Sequence, residues 1–337
     1  MPAKSLFLPL FFLFLAILLS CGQKKPQLET AFYHWKTHFE PSMAEKKALD
    51  SLKIQKLYVH FFDIDWDETR KMPIPLAEIQ WKDSLFPVKK IVPTVFITNR
   101  TFEQLDEAEI TDLAHKIALK IQFQVQKIAL SASEIQIDCD WTEGTRAIYF
   151  ALLSAVKKEF PQTPISATIR LHQLKYFRRT GVPPVDRGML MCYNLGDVRK
   201  AETENSILAL EDLKKYVLPP VKYPLPLDIA LPIFEWGVVR RNEKTVHLLN
   251  DFAISAENKA FFTKISPIIF QCDSSHYEKG IYLYKNDHIR IEKVPEETLQ
   301  AAFELLQPFV KDSSTVAYYH LSYISRISRR FSQIFAD

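Results

Sequence analysis

Glycine is scarce, with seven residues in 337 against 20 prolines. So few leave no glycine-rich loop to bring backbone amides against a phosphate. Neither GxGxxG nor GxxxxGKS/T occurs, which removes the usual nucleotide-binding arrangements. Cysteine is also sparse. Apart from Cys21 there are only Cys139, Cys192 and Cys272. Three cannot all pair, and no CxxC or Cys/His spacing matches a zinc site. Cys139 and Cys192 sit inside apolar strand-like runs, where a thiol acts as a small hydrophobe, and all three read as structural or neutral. An excess of one charge is missing as well. Lys and Arg total 43, Asp and Glu 40, the net charge is +3, and the basic residues are scattered, so nucleic acid is not an expected partner. No internal repeat or low-complexity segment is present.

One long apolar run exists, at the start. Lys4 precedes an apolar stretch from Leu6 to Leu19, followed by Ser20 and Cys21. A basic start, a short apolar segment and a small residue before a cut describe an export signal rather than a settled membrane span. The LLSC ending resembles the lipobox of bacterial lipoproteins, which implies residues 1–20 as signal peptide, acylation at Cys21, and residues 21–30 as a tether. The expected location is the bacterial cell envelope, lipid-anchored to a membrane. Lys24 and Lys25 with no acidic run favour a periplasm-facing protein, more in keeping with the outer membrane.

From there the chain alternates. Short apolar or β-branched runs at Ala31–Trp35, Lys56–Phe62, Ile91–Thr98, Glu134–Asp140, Pro164–Leu171, Gly188–Asn194, Leu227–Phe234 and Thr315–Leu321 predict strands buried on both faces. Helical spacing marks Asp106–Gln126, with Ile110, Leu113, Ile117 and Ile121 in register. Thr145–Phe160, Ser206–Val217 and Glu296–Val310 follow the same pattern. Eight strands alternating with helices fit one (β/α)₈ TIM barrel over residues 31–324. An open doubly wound sheet would more often bring the phosphate-binding first turn that is missing. Residues 238–295 are too long for one connection. They contain IYLYKNDHIRIEK, which predicts a β-hairpin turning at Asn286-Asp287, inserted between strands 7 and 8. A short C-terminal helix is expected over 325–337.

The stretch EIQIDCDWTE, residues 134–143, carries the chemistry. Successive strand residues point to opposite faces, so Ile135, Ile137 and Cys139 share one face and Gln136, Asp138 and Asp140 the other. In a barrel the apolar face meets the helices and the polar face points inward. Inward carboxylates are costly if dry and unpaired, but tolerable near the C-terminal mouth where barrel enzymes keep their chemistry. Crowded carboxylates raise at least one pKa, and a proton held near neutral pH is what a general acid needs. The plainer alternative is a structural network completed by an Arg or Lys from a neighbouring strand.

IDCDWTE resembles the DxDxE signature that closes the fourth strand of family 18 glycoside hydrolases, the chitinase type. MLMCYNLGD, residues 189–197, is similar to that family's sixth-strand segment, and IALPIFEWG, residues 229–237, to its seventh. The whole chain resembles an uncharacterised group of bacterial lipoproteins built on the same barrel, which share an FFDIDW-like second strand. The resemblance implies a substrate-assisted retaining mechanism, in which the acetamido group of an N-acetylated glycan attacks the anomeric carbon. On this likeness Glu143 protonates the leaving oxygen, Asp140 orients the acetamido group, Tyr193 holds the acetamido oxygen and Trp236 floors the sugar, with Asp138 the motif's matching aspartate just below Asp140. In the family the acid follows the second aspartate by two positions. Here Glu143 follows Asp140 by three, and Glu235 at the end of strand 7 is the substitute nearest by position.

Around these, Asp63 and Asp65 (with Asp67) lie at or past the end of strand 2, where they add carboxylates to the pocket. Their DxDxD spacing hints at a cation loop but lacks the glycine and distal glutamate; neither a metal nor a cofactor is expected. Aromatics gather near strand ends, among them Trp35, Trp66, Trp141, Tyr193, Phe234, Trp236 and Tyr319, and agree with a glycan cleft that uses Trp141 and Trp236. Two classes remain: a glycosidase, and a barrel that binds a glycan or partner without cutting. A carboxylic acid over the mouth favours the first; a mouth with no third carboxylate near Asp140 favours the second. Nothing in the sequence fixes the oligomeric state.

Overall fold

The computed structural model describes residues 28–82, 87–128 and 130–327. Cys21, the export segment and most of the tether and C-terminal helix lie outside the described residues. Eight strands form the core: β1 Glu29–His34, β2 Lys56–Asp67, β3 Lys90–Ile97, β4 Ile135–Asp138, β5 Ile165–Arg170, β6 Arg187–Met191, β7 Leu227–Pro232 and β8 Thr315–Tyr319. Each pairs in parallel with the next, and β8 pairs with β1, so the ring is closed. All eight expected strands are present, and the architecture is a (β/α)₈ barrel. Among the described residues no helix is long and apolar enough to cross a membrane.

The helical expectations hold with trimmed ends. Ile110–Gln126 buries Ile110, Leu113, Ile117 and Ile121, the four residues whose spacing predicted it. A single 3₁₀ turn, Glu107–Glu109, precedes it, held by reciprocal side-chain bonds between Asp106 and Glu109. Arg146–Glu159 buries Tyr149, Leu152, Leu153 and Val156. Leu210–Val217 and Glu296–Leu306 are shorter than the periodicity suggested. Between β2 and β3 the chain places an antiparallel strand, Met72–Leu76, against the upper half of β2.

The inward direction of the β4 polar face follows from contacts that span the ring. The Tyr33 hydroxyl on β1 donates to Gln136 Oε1 at 2.6 Å. Lys56 Nζ on β2 reaches Glu134 Oε2 at 3.1 Å and Thr315 Oγ1 on β8 at 3.3 Å. Beside them Asp228 takes Arg187 at 3.1 Å and the Thr315 amide at 2.7 Å. These groups make an ionic floor in which Lys56, Glu134 and Asp228 are buried and Arg187 reaches the edge, a quarter exposed. Burial pushes the Asp228 carboxyl up to about 6, against the pull of Arg187 and Lys56. The three free thiols, Cys139, Cys192 and Cys272, are buried.

The insertion is larger than one hairpin and starts at Glu235. Five antiparallel strands run in the order Lys244–Asn250, Glu235–Arg241, His288–Lys293, Ile269–Cys272, Phe262–Lys264. They enclose a small core of their own, with Val239, Leu249, Phe252, Phe262, Cys272, Leu283 and Ile289. Gly237 lets the sheet close on that core, since a Cβ there would lie 2.7 Å from the Phe252 ring. Hairpins are present, but the one expected across Asn286-Asp287 is paired differently. Ile281–Leu283 pairs with His276–Glu278, whereas His288–Lys293 sits between Glu235–Arg241 and Ile269–Cys272. The turn itself is real, with Asn286 at φ 70. Its Asp287 is held by Arg241 at 2.7 and 2.8 Å and by the Tyr284 amide at 2.9 Å. The following strand then buries Ile289 in the insertion core.

Removing one member of the ionic floor strands the other. Lys56→Met leaves Glu134 buried without its cation, and the unfolding free energy is expected to fall by about 3–5 kcal/mol. Urea denaturation followed by circular dichroism measures this; a change within ±0.5 kcal/mol contradicts it.

Candidate functional site

Above the floor, the same alternation carries β4 into the mouth. Asp138 is buried and accepts from the Thr168 hydroxyl of β5 at 2.6 Å. Two residues on, Asp140 has left the strand and its side chain is 53% exposed. The Arg170 guanidinium, at the end of β5, forks onto both Asp140 oxygens, through Nε to Oδ1 and through Nη2 to Oδ2 at 2.8 Å. This is the strong two-pronged form of the pair. Sequence reasoning left open an Arg from a neighbouring strand without naming it. The signal was in SATIR, residues 166–170, whose polar residues alternate as those of β4 do.

Asp138 and Asp140 open into a cleft of about 530 Å³ whose aromatic lining includes Trp35, Phe96, Tyr193, Phe234, Trp236 and Tyr319. The rings are mutually braced. Tyr193 lies 5.3 Å from Tyr319 and 6.0 Å from Phe234 between centroids, and Phe234 lies 5.3 Å from Trp236. The indole of Trp236 donates to Glu292 Oε2 at 2.9 Å, which fixes its plane. Phe96 and Arg170 were missed from the sequence. Glu235 also lines the cleft, ion-paired with Arg326. His320 closes one side, and burial pushes its imidazole down to about 4. A second groove of about 460 Å³ adjoins, sharing Asp140, Arg170, Tyr193 and Asn194 and adding His172 and Tyr216.

Four expected site residues stand elsewhere. Trp141 is buried on the helix side, stacked on Tyr149 at 5.3 Å with its indole donating to Thr180 O at 3.2 Å. It follows Asp140 by one residue and so takes the opposite face. Glu143 is on the turn beyond, more than half exposed, and its carboxylate pairs with Arg179 at 2.6 Å, away from the cleft lining. The residue two positions after Asp140 is Thr142, whose amide donates to Thr145 Oγ1 at 3.0 Å as the next helix begins.

Asp63 and Asp65 lie on the arm that β2 forms with Met72–Leu76, outside the cleft lining. A register shift between His60 and Phe62 precedes them. It turns both Phe61 and Phe62 toward helix-side partners, Trp81 and Lys120. Asp63 takes His60 Nε2 at 2.6 Å. Asp65 is held by Arg100 and by Thr98 at 2.6 Å, and the Arg100 hydrogen bond draws its carboxyl down to about 2. Asp67 caps its own turn through the Thr69 and Arg70 amides. With each aspartate so engaged they do not converge, and no group of three metal-ligating side chains occurs among the described residues.

The carboxyl of Asp138 is the chemically unusual group. Burial pushes it up to about 6, and Asp140 adds to the rise, against the pull of Arg170 and Thr168. The ordinary aspartate value is about 4, so between pH 4 and 6 the folded chain binds more protons here than the unfolded one. The contribution to stability is therefore present at low pH and lost as pH rises through 6. Asp138→Asn removes this dependence. Its unfolding free energy relative to the parent is expected to grow by about 1–3 kcal/mol between pH 5 and 7.5. Urea titrations at both pH values test this, and a difference that stays flat with pH refutes it.

Solved structures of low sequence identity share the architecture. The spore cortex-lytic enzyme SleL of Bacillus cereus matches with a TM-score of 0.55 at 12% identity, over 93% of this chain and 75% of that one. SleL of Bacillus megaterium gives 0.53 at 10%, over 93% and 74%. A chitinase from Chromobacterium violaceum gives 0.51 at 9%, over 92% and 98%. No family model and no curated protein matches the chain. What it shares with these enzymes is a fold, the closed (β/α)₈ barrel.

Proposed function

We propose that the chain is a glycan-binding barrel of the cell envelope, lipid-anchored through Cys21, that holds an N-acetylated sugar chain in its mouth without cleaving it by the substrate-assisted route. The observation that carries this reading is the pairing of Arg170 with Asp140 beneath a ring of aromatic faces. Aromatic faces give apolar contact area to sugar rings, while a few fixed polar groups orient the ligand. The substrate-assisted route needs an acid above Asp140. Thr142 occupies the position two residues on, Glu143 is tied to Arg179, and Glu235 is tied to Arg326.

A second reading is favoured by one observation. Asp138, with its carboxyl pushed up to about 6, retains its proton well above the ordinary aspartate range and lines the cleft. It has the property required of a general acid. On this reading the chain hydrolyses a glycan with Asp138 as the proton donor.

Calorimetry with N-acetylglucosamine oligomers, alongside a reducing-end assay on the same oligomers, separates the readings. Binding is expected with no reducing ends released. Trp236→Ala is expected to weaken binding by about 1–2 kcal/mol, on the order of tenfold in Kd. Release of reducing ends that Asp138→Asn abolishes transfers the conclusion to the second reading. Release that Glu143→Gln abolishes overturns both.

A further inference from the structure

The flank of the barrel next to the mouth carries a groove of about 510 Å³. It runs between the short helices Leu171–Lys175 and Phe177–Thr180 and the segment leading into β7. Four cations line it: Lys175, Arg178, Arg179 and Lys222. Among the described residues, the one carboxylate within ion-pair reach of any of them is Glu143, on Arg179. Lys175 donates to the Lys215 carbonyl. Tyr176, 46% exposed, lies among them, with Lys175 Nζ 5.6 Å and the Arg179 guanidinium 5.4 Å from its ring centroid.

Cations gathered along a groove repel one another and raise the local potential, which an anionic ligand relieves. The groove also continues the mouth. Its helix Leu171–Lys175 supplies His172 to the cleft that holds Asp140 and Arg170, and Lys175 to the basic groove. Between the two, burial lowers the His172 imidazole below its ordinary value. Arg170 and Arg179 add to that lowering against the opposing pull of Asp140.

We infer that the ligand is an acidic glycan, a sugar chain bearing carboxylate or phosphate groups. Its neutral N-acetylated rings lie in the aromatic cleft, and its anionic substituents lie on Lys175, Arg178, Arg179 and Lys222. This rests on the glycan-binding reading of the mouth and adds the charge of what is bound. The chain leaves the aromatic cleft over His172 and meets the cations on the flank. Tyr176 offers a half-exposed ring beside them for one more sugar.

The test compares three ligands by calorimetry on the full chain: a neutral N-acetylglucosamine hexamer, a hyaluronan hexamer with alternating carboxylates, and a teichoic-acid fragment with phosphates. At low salt at least one charged ligand is expected to bind about tenfold more tightly than the neutral hexamer, as two or three exposed ion contacts supply. That advantage disappears in 0.5 M NaCl. The R178A/K222A double variant removes the advantage and leaves the neutral hexamer's affinity unchanged, while Trp236→Ala weakens all three. The carboxylate and phosphate arms identify the anionic group.

Equal affinities for the three ligands overturn the inference and leave the glycan-binding reading standing. So does a charged advantage that survives in R178A/K222A. Charged ligands that bind independently of Trp236, with no binding of the neutral hexamer, overturn both. Phosphatidylglycerol vesicles serve as the remaining arm. Capture by vesicles through Arg178 and Lys222, without any preference among glycans, overturns the inference in favour of a lipid surface.

Discussion

Strand β4 and the residues flanking it send Glu134, Gln136, Asp138 and Asp140 to the inner face, and β5 answers with Ser166, Thr168 and Arg170. This matched column is the constraint on which the rest depends. A carboxylate inside a closed ring of strands is tolerable only with a partner in place, and the two strands supply partners in register because both alternate with the same period. Lys56 and the hydroxyl of Tyr33 complete the lower rungs from across the ring. Going upward the column passes from dry to wet: Glu134 is 4% exposed, Asp138 8%, and the Asp140 side chain 53%. One sequence pattern thus makes a structural floor at one end and a solvent-reached mouth at the other.

The fold was legible because a closed parallel barrel demands short, doubly buried strands, and their composition is hard to mistake. The Ile135, Ile137 and Cys139 face and its polar counterpart were readable from alternation alone. Alternation reaches its limit where a strand ends or bulges. Trp141 keeps the outward face of β4 and joins Tyr149 in the helical shell, although its composition suggested a sugar platform. The doubled Phe61 and Phe62 shift the register of β2, so that Asp63 and Asp65 find His60 and Arg100 rather than each other. Neither event has a local sequence marker, since each is decided by what the neighbouring strand and helix offer. The pairing of Arg170 with Asp140 was hidden for a related reason, although the alternation of SATIR marks Arg170 itself as inward-facing. Its partner lies 30 residues away, and only the parallel register of β4 and β5 brings them together.

The wall of the cleft opposite these carboxylates belongs to the insertion. Glu235 and Trp236 begin its first long strand, so the residues that face the cleft are continuous with the central strand pair of the small sheet. Among the described residues, Glu292 on the neighbouring strand is the junction. Its Oε2 accepts from the Trp236 indole at 2.9 Å and from the Ser206 amide at 2.7 Å, and its Oε1 accepts from Arg290 at 2.7 Å. A buried carboxylate with this many charged or oriented donors is held in one place.

That single side chain therefore belongs to three parts of the molecule: the loop after β6, the inserted sheet, and the tryptophan at the cleft wall. An exchange of the inserted sheet for one lacking a glutamate at this position would leave the Ser206 amide and hydroxyl without their acceptor. Through this one carboxylate the inserted sheet, the loop after β6 and the tryptophan at the cleft wall are tied together, so a change in any of the three is felt by the other two.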